Sequence, residues 1–168
     1  TTIQNSKNYG EINDESAATV GYVYLGGIAG CSVSTNPYFV ISSCENRGNI
    51  STNSISGKTR YLGGIAGYAR GNTATEDDKP VGLAENNVNW GKITVKSGAS
   101  HSDSLNIGGL FGTFLASTVN NSTNHGDIEI ESGAMVYEMQ LGGIAGVHTS
   151  ELSGYYIRSC VNNGDIIY

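Results

Sequence analysis

Asn-x-Gly-x-Ile occurs five times in this chain, at Asn8–Ile12, Asn46–Ile50, Asn89–Ile93, Asn124–Ile128 and Asn162–Ile166. Four Gly-Gly motifs alternate with these copies: Leu25-Gly26-Gly27-Ile28-Ala29-Gly30, Leu62-Gly63-Gly64-Ile65-Ala66-Gly67, Ile107-Gly108-Gly109-Leu110-Phe111-Gly112 and Leu141-Gly142-Gly143-Ile144-Ala145-Gly146. The Asn starts lie 38, 43, 35 and 38 residues apart, and the Gly-Gly starts 37, 45 and 34. The two series drift together, so they mark one repeating unit with local insertions. A period of this size points to a repeat architecture and overrides a reading as an ordinary globular domain.

The gap from each repeat Ile to the next Gly-Gly motif is steady at 13, 12, 14 and 13 residues, whereas the gap from the motif's last Gly to the next Asn runs 16, 22, 12 and 16. Length variation is therefore confined to one side of the unit, where loops project without disturbing a stack. The units run over about 8–45, 46–88, 89–123 and 124–161, with a partial unit at 162–168 and a projecting insertion at 69–86.

Within a unit the pattern predicts three strands. One follows the Asn-Gly turn, as in Gly126-Asp127-Ile128-Glu129-Ile130-Glu131, where apolar residues alternate with period two. A second leads into the Gly-Gly motif, as in Tyr22-Val23-Tyr24-Leu25. A third precedes the next Asn, as in Tyr38-Phe39-Val40-Ile41 and Tyr155-Tyr156-Ile157. All three are rich in β-branched and aromatic residues, and no segment keeps helical periodicity. The fold expected is all-β: a parallel β-solenoid of about four repeats of ~38 residues, almost without helix. The crossover rule for parallel strands makes it a right-handed β-helix. Whether a repeat forms one large coil or two small ones stays open at this point.

In such a stack Ile12, Ile50, Ile93, Ile128 and Ile166 form one buried column. Leu25, Leu62, Ile107 and Leu141 form another, and Ile28, Ile65, Leu110 and Ile144 a third. Each buried aliphatic side chain contributes roughly 1.5–3 kcal/mol. The repeated Asn residues are expected to bond one another as an amide ladder. Asn and its following Gly are expected to take positive φ at a sharp corner, and the paired glycines to allow a tight bend with close backbone approach.

Glycine numbers 24 of 168 residues and proline 2, and the periodic placement of the glycines argues against a flexible linker. A net charge of −6 disfavours nucleic-acid binding. No apolar run of ~18 residues is present, so no membrane-inserted helix is expected. Thr1 follows no initiator Met and no signal peptide, and neither end offers an obvious polar cap; the chain reads as a segment cut from a longer protein.

Of three cysteines, Cys44 and Cys160 fall in one column, shared with Ser6, Asn87 and Ser122. Three coils at ~4.8 Å separate them by roughly 14 Å, beyond the roughly 7 Å a disulfide spans. Cys31 shares a column with Tyr68, Thr113 and Val147. Three free, mostly buried thiols are expected.

Gly-Gly-Ile-Ala-Gly, a variable stretch, then Ile-x-x-Cys-x-Asn-x-Gly-x-Ile resembles the GLUG repeat family. The fullest copies are Gly26 to Ile50, with Ile41, Cys44, Asn46 and Gly48, and Gly142 to Ile166, with Ile157, Cys160, Asn162 and Gly164. Two copies depart from the pattern: Asn87 and Ser122 replace the Cys, and Leu110-Phe111 replaces Ile-Ala. The resemblance covers nearly the whole chain. It implies large secreted or surface-anchored bacterial proteins, among them adhesin-like proteins and the non-catalytic parts of immunoglobulin A peptidases. It carries over no active site.

The residues themselves offer little catalytic chemistry. His125 stands between repeat Asn and Gly, where Tyr9, Arg47, Trp90 and Asn163 also occur, which marks an exposed position. His101-Ser102-Asp103 is read as a loop; adjacency in sequence does not make a Ser-His-Asp relay. With His148 as the third histidine, no His-x-x-x-His or Cys-x-x-Cys spacing supports a metal site. The cluster Glu76-Asp77-Asp78 lies in the longest insertion, solvated or suited to calcium together with carbonyls. Glu11, Asn49, Lys92, Asp127 and Asp165 read as a solvent-facing row.

Aromatics are more suggestive: ten Tyr, three Phe and one Trp. Tyr22 and Tyr24 flank Val23 and point away from its face, while Tyr61, Tyr68, Trp90, Tyr137, Tyr155 and Tyr156 extend an aromatic surface. Such faces suit glycans or proteins. The expected function is a non-catalytic extracellular module of a bacterial surface protein, an adhesion or display stalk without a cofactor. Its partners are a host glycan or protein and the neighbouring repeats or domains of a parent chain. The contact surface expected comprises Tyr22, Tyr24, Trp90, Glu76, Asp77 and Asp78. The alternative is a solenoid polysaccharide lyase or hydrolase, which requires carboxylates converging within roughly 5–9 Å in a groove. An ice-binding solenoid is a third reading, disfavoured because no regular Thr-x-Thr column is visible.

Overall fold

The computed structural model describes residues 1–16, 21–34, 39–56, 58–71, 82–149 and 155–168. These residues form parallel strands and no helix. Each repeat makes one full turn, so the chain climbs as a β-solenoid of about four turns. The turn from Ile50 to Asn89 shows the path. It runs through Ile50–Thr52, Arg60–Gly63, Ala66–Arg70, Gly82–Glu85 and Val88–Asn89. Each of these strands pairs in parallel with its equivalents in the turns before and after, giving five sheets, called here the first to the fifth in that order.

The sequence pattern had shown three of the five sheets. The two others are the third sheet, which leaves the Gly-Gly bend, and the fifth, made of two-residue strands that end on the repeat Asn. A two-residue strand has no alternation to read. His101 also differs from its expected place in a loop. It lies in the strand Ser100–Gly108, nine residues long, whose register shifts between His101 and Ser104.

The anticipated columns are present. Ile12, Ile50, Ile93, Ile128 and Ile166 stack in register in the first sheet, and Leu25, Leu62, Ile107 and Leu141 in the second. Buried residues fall into two cores. One fills the space between the first and second sheets with Ile50, Ile93, Ile128, Leu62 and Ile107. The other lies between the third and fourth sheets with Phe39, Ile41, Phe111, Phe114 and Val119. Phe111 replaces the alanine of the other copies, and its ring centroid is 4.5 Å from that of Phe114. Gly82 stands above Phe39 in the fourth sheet, and a side chain there would overlap the Phe39 ring.

Between the two cores runs the Asn ladder. Nδ2 of Asn8 donates to Oδ1 of Asn46, Asn46 to Asn89, Asn89 to Asn124 and Asn124 to Asn162, each at 2.8 Å. The same amide nitrogens donate to the carbonyl of the Gly two residues on, as from Asn89 to Gly91 at 2.8 Å. Asn46, Asn89 and Asn124 are buried yet fully employed, which removes the cost of hiding an amide. The second glycine of each Gly-Gly pair faces this ladder: a Cβ on Gly27, Gly64, Gly109 or Gly143 would overlap Asn46, Asn89, Asn124 or Asn162 respectively. The two sequence motifs therefore meet inside the turn and pinch it into two lobes.

The corner chemistry differs from expectation. The motif Asn and Gly residues do not take positive φ. That conformation falls three residues earlier, at Asn5, Ser43, Asn86, Asn121 and Ser159, with φ between 46° and 54° for four of them and 55° for Asn86. Asn is the non-glycine residue that tolerates it best. The motif glycines are needed for space: a Cβ on Gly48, Gly91, Gly126 or Gly164 would overlap the carbonyl oxygen of the equivalent glycine one turn earlier. Next to the positive-φ column, Asn87 accepts the N–H of Cys44 at 3.1 Å and donates to the Ile41 carbonyl at 2.9 Å. Those bonds account for an Asn at a Cys position. The three thiols are free, with Cys44 buried and Cys160 half-buried. Cys31 is exposed rather than buried, because its column faces outward.

Candidate functional site

The second and third sheets meet at the Gly-Gly bend, whose apex points inward at the Asn ladder. Their outward side chains therefore face each other across a notch running along the stack. One wall carries the column Tyr24, Tyr61, Asn106, Gln140, and the other Cys31, Tyr68, Thr113, Val147. In the third turn the walls are joined by a hydrogen bond from Asn106 Nδ2 to Thr113 Oγ1 of 3.0 Å. In the first two turns they are joined by aromatic rings instead.

Tyr24 and Tyr61 stack with centroids 5.0 Å apart and planes at 12°. Tyr68 meets both edge-on, at 5.7 Å and 5.3 Å. Tyr22 adds a tilted contact to each of the stacked pair, at 6.4 Å and 6.3 Å, and remains 56% exposed. Edge-to-face and offset pairs of this kind contribute about 0.5–1.5 kcal/mol each beyond area burial. Burial and the neighbouring groups hold the phenols of Tyr24 and Tyr61 above the ordinary value, so both are neutral donors at physiological pH. Partial burial likewise pushes the Cys31 thiol up.

Of the residues singled out from sequence, the structure brings Tyr22, Tyr24, Tyr61 and Tyr68 together. Trp90 belongs to a different surface, the variable column of Asn-x-Gly. There it stacks on His125 at 3.9 Å with planes at 6°, and the Arg47 guanidinium carbon lies 6.0 Å from its ring. Asn163 Nδ2 donates to His125 Nδ1 at 3.2 Å, while Arg47 and Lys7 both pair with Glu45. Tyr137 is exposed at 84%, outside the cluster. Glu76, Asp77 and Asp78 lie outside the described residues. Among the described residues no group of three or more His, Cys, Asp and Glu is placed to hold a metal ion.

The sequence reading missed one polar cluster, buried at the closed end of the first lobe. Arg60 is fully buried where Val23, Leu105 and Met139 stand in other turns. Its Nε is 3.9 Å from Asp14 Oδ2, and its Nη2 donates to Ser16 Oγ at 3.3 Å. Thr52 Oγ1 donates to Asp14 Oδ2 at 3.2 Å. His101 is buried beside them with neither ring nitrogen hydrogen-bonded, as are Nε and Nη1 of Arg60. Burial, reinforced by the Arg60 charge, lowers the His101 pKa below its ordinary value and leaves it neutral. Strand alternation held the signal: Arg60 has the same parity as Leu62 and so faces inward. Asp14, Thr52, Arg60 and His101 are buried, so the cluster supports the lobe rather than offering a surface.

No family model matches the chain, and no curated protein and no solved structure matches it.

Proposed function

We propose that this chain is a non-catalytic, extracellular β-solenoid module of a bacterial surface protein, a stalk whose notch tyrosines contact a glycan or protein partner. The observation that carries this reading is a division of labour among the residues. The recurrent Asn, Gly, Ile and Leu residues are all used in holding turns together, while Tyr22, Tyr24, Tyr61 and Tyr68 gather outward in one patch. Tyrosine suits such a surface because it pairs a large apolar face with a hydroxyl that hydrogen-bonds at little entropic cost. The likeness of the repeats to the GLUG pattern supports the placement on a bacterial surface. The lyase or hydrolase alternative needs carboxylates converging in an open groove. Asp14, the buried carboxylate among the described residues, is turned inward to Arg60.

The test is binding of the folded chain to glycan arrays and to host matrix proteins, compared with the Tyr22→Ala/Tyr24→Ala variant. The expected result is a hit in the wild type that weakens at least about tenfold in the variant, since losing two aromatic anchors costs more than about 1.4 kcal/mol. A blank wild type with an intact β spectrum leaves a spacer and ends the binding role.

A further inference from the structure

The three cysteines are free, so no disulfide ties one turn to the next. Tyr24 and Tyr61 are placed for a different tie. They are partners in register on neighbouring turns, in parallel strands about 4.8 Å apart. Parallel, in-register side chains project in the same direction, so like atoms of the two phenols are neighbours. Their rings stack at 5.0 Å with planes 12° apart. Asn106 and Gln140 take the same position in the third and fourth turns, which confines the pair to the first two. Tyr22 and Tyr68 each contact both rings of the pair. A radical formed on any of the four phenols therefore has the stacked pair within contact. Tyr61 also has an outlet for its proton. The Thr59 hydroxyl interacts with its phenol, and Thr59 Oγ1 donates to Asp103 Oδ2 at 3.3 Å.

We infer that the Tyr24–Tyr61 pair is an oxidative modification site, where a peroxidase and hydrogen peroxide join the two rings as a dityrosine that staples the first turn to the second. The peroxidase removes one electron from each phenol, and each phenol loses its hydroxyl proton. The proton of Tyr61 leaves through Thr59 to Asp103 and on to solvent. The two phenoxyl radicals pair in a new carbon–carbon bond between ring positions ortho to the oxygens. The hydrogens on the joined carbons shift to the phenol oxygens, which restores both aromatic rings. The two electrons and two protons reduce one hydrogen peroxide to two waters. Tyr24 and Tyr61 are 37 residues apart in sequence, so the link restricts the unfolded chain as a disulfide closing the same loop does.

The test treats the dilute chain with peroxidase and hydrogen peroxide, in a Cys31→Ser background that removes the exposed thiol as a competing reductant. The expected product is a monomer lighter by two hydrogens, with dityrosine fluorescence. Its digest should contain one cross-linked peptide pair, joined through Tyr24 and Tyr61. Its thermal midpoint should lie above that of the untreated chain. Tyr24→Phe and Tyr61→Phe keep a ring at each place in the stack but remove one phenol, and each should lose the product completely. Asp103→Asn should slow its appearance severalfold, and an unchanged rate removes Asp103 from the proton's route. Tyr9, Tyr137 and Tyr168 make no ring contact with another tyrosine among the described residues, so they report coupling between chains. A monomer that stays unlinked, or is linked through any other pair, overturns the inference. So does cross-linking confined to dimers and larger species. A linked monomer whose midpoint does not rise overturns the staple.

Discussion

Arg60 shows how one residue departs from its column and how the surroundings adapt. Its neighbours in register are Val23 and Leu105, yet it sits fully buried with Asp14, Ser16, Thr52 and His101 around it. Burial pushes the Asp14 carboxyl up, but hydrogen bonds from Ser16 and Ser54 together with the Arg60 charge outweigh it and hold the pKa below the usual value. Burial and Arg60 push His101 down, with Asp14 opposing. Both folded-state values lie below the unfolded ones, so both groups bind fewer protons when folded. The His101 contribution to stability is complete above about pH 6.5, the unfolded histidine value, and is lost as pH falls below it. The Asp14 contribution is lost further down, as pH falls from about 3.9. Urea midpoints should therefore decline between pH 7 and pH 5, and His101→Leu should flatten that decline. A His101→Leu variant that keeps the full wild-type slope would assign the acid sensitivity to other groups. The inward side of Arg60 was legible from alternation with Leu62. Its partners were not, because Asp14 and His101 are 46 and 41 residues away in sequence and meet only through the path of the turn.

At the scale of the element, one motif position does different work in different turns. Gly10 opens onto solvent, and a Cβ there would meet nothing closer than Asn8 Oδ1 at 3.7 Å. Gly91 holds the same place two turns on, and a Cβ there would overlap the Gly48 carbonyl. Gly10→Ala should therefore leave stability within about 0.5 kcal/mol of wild type or raise it slightly, through the lower entropy of the unfolded chain. Gly91→Ala should cost about 2 kcal/mol or more, since the backbone at Gly48 in the preceding turn must shift. Paired urea denaturations separate the two, and equal costs would remove the steric account of the column. The spacing of the Asn and Gly motifs announced the ladder and the bend. Their mutual contact was hidden, because it spans the turn. The positive-φ corner was assigned to the wrong residues, because the Asn-Gly pair that favours it in hairpins is used here for amide bonding and clearance.

For the whole molecule the period in sequence became the pitch of the stack, one turn to each repeat, with parallel sheets and no helix among the described residues. Three sheets were readable from β-branched and aromatic runs. The third sheet was masked by Ala and Gly, and the fifth by its brevity. Stability in such a stack is a sum over turns and their shared faces, so opening should begin at the ends. Amide exchange should be slowest for Ile50 and Ile93, whose N–H groups donate at 2.8 Å to Lys92 and Asp127 within covered turns, and fastest in the turn holding Ile166. Mass spectrometry of exchanged peptides would show this gradient, and uniform protection would instead mean that all turns open together. The ladder's orientation has a mechanical corollary. Its hydrogen bonds, like those of the sheets, point along the direction in which the turns climb. Tension on the two extremities therefore loads a single boundary at a time instead of shearing many in parallel, and the rod should yield in steps, shedding coils one by one while the remainder keeps its form.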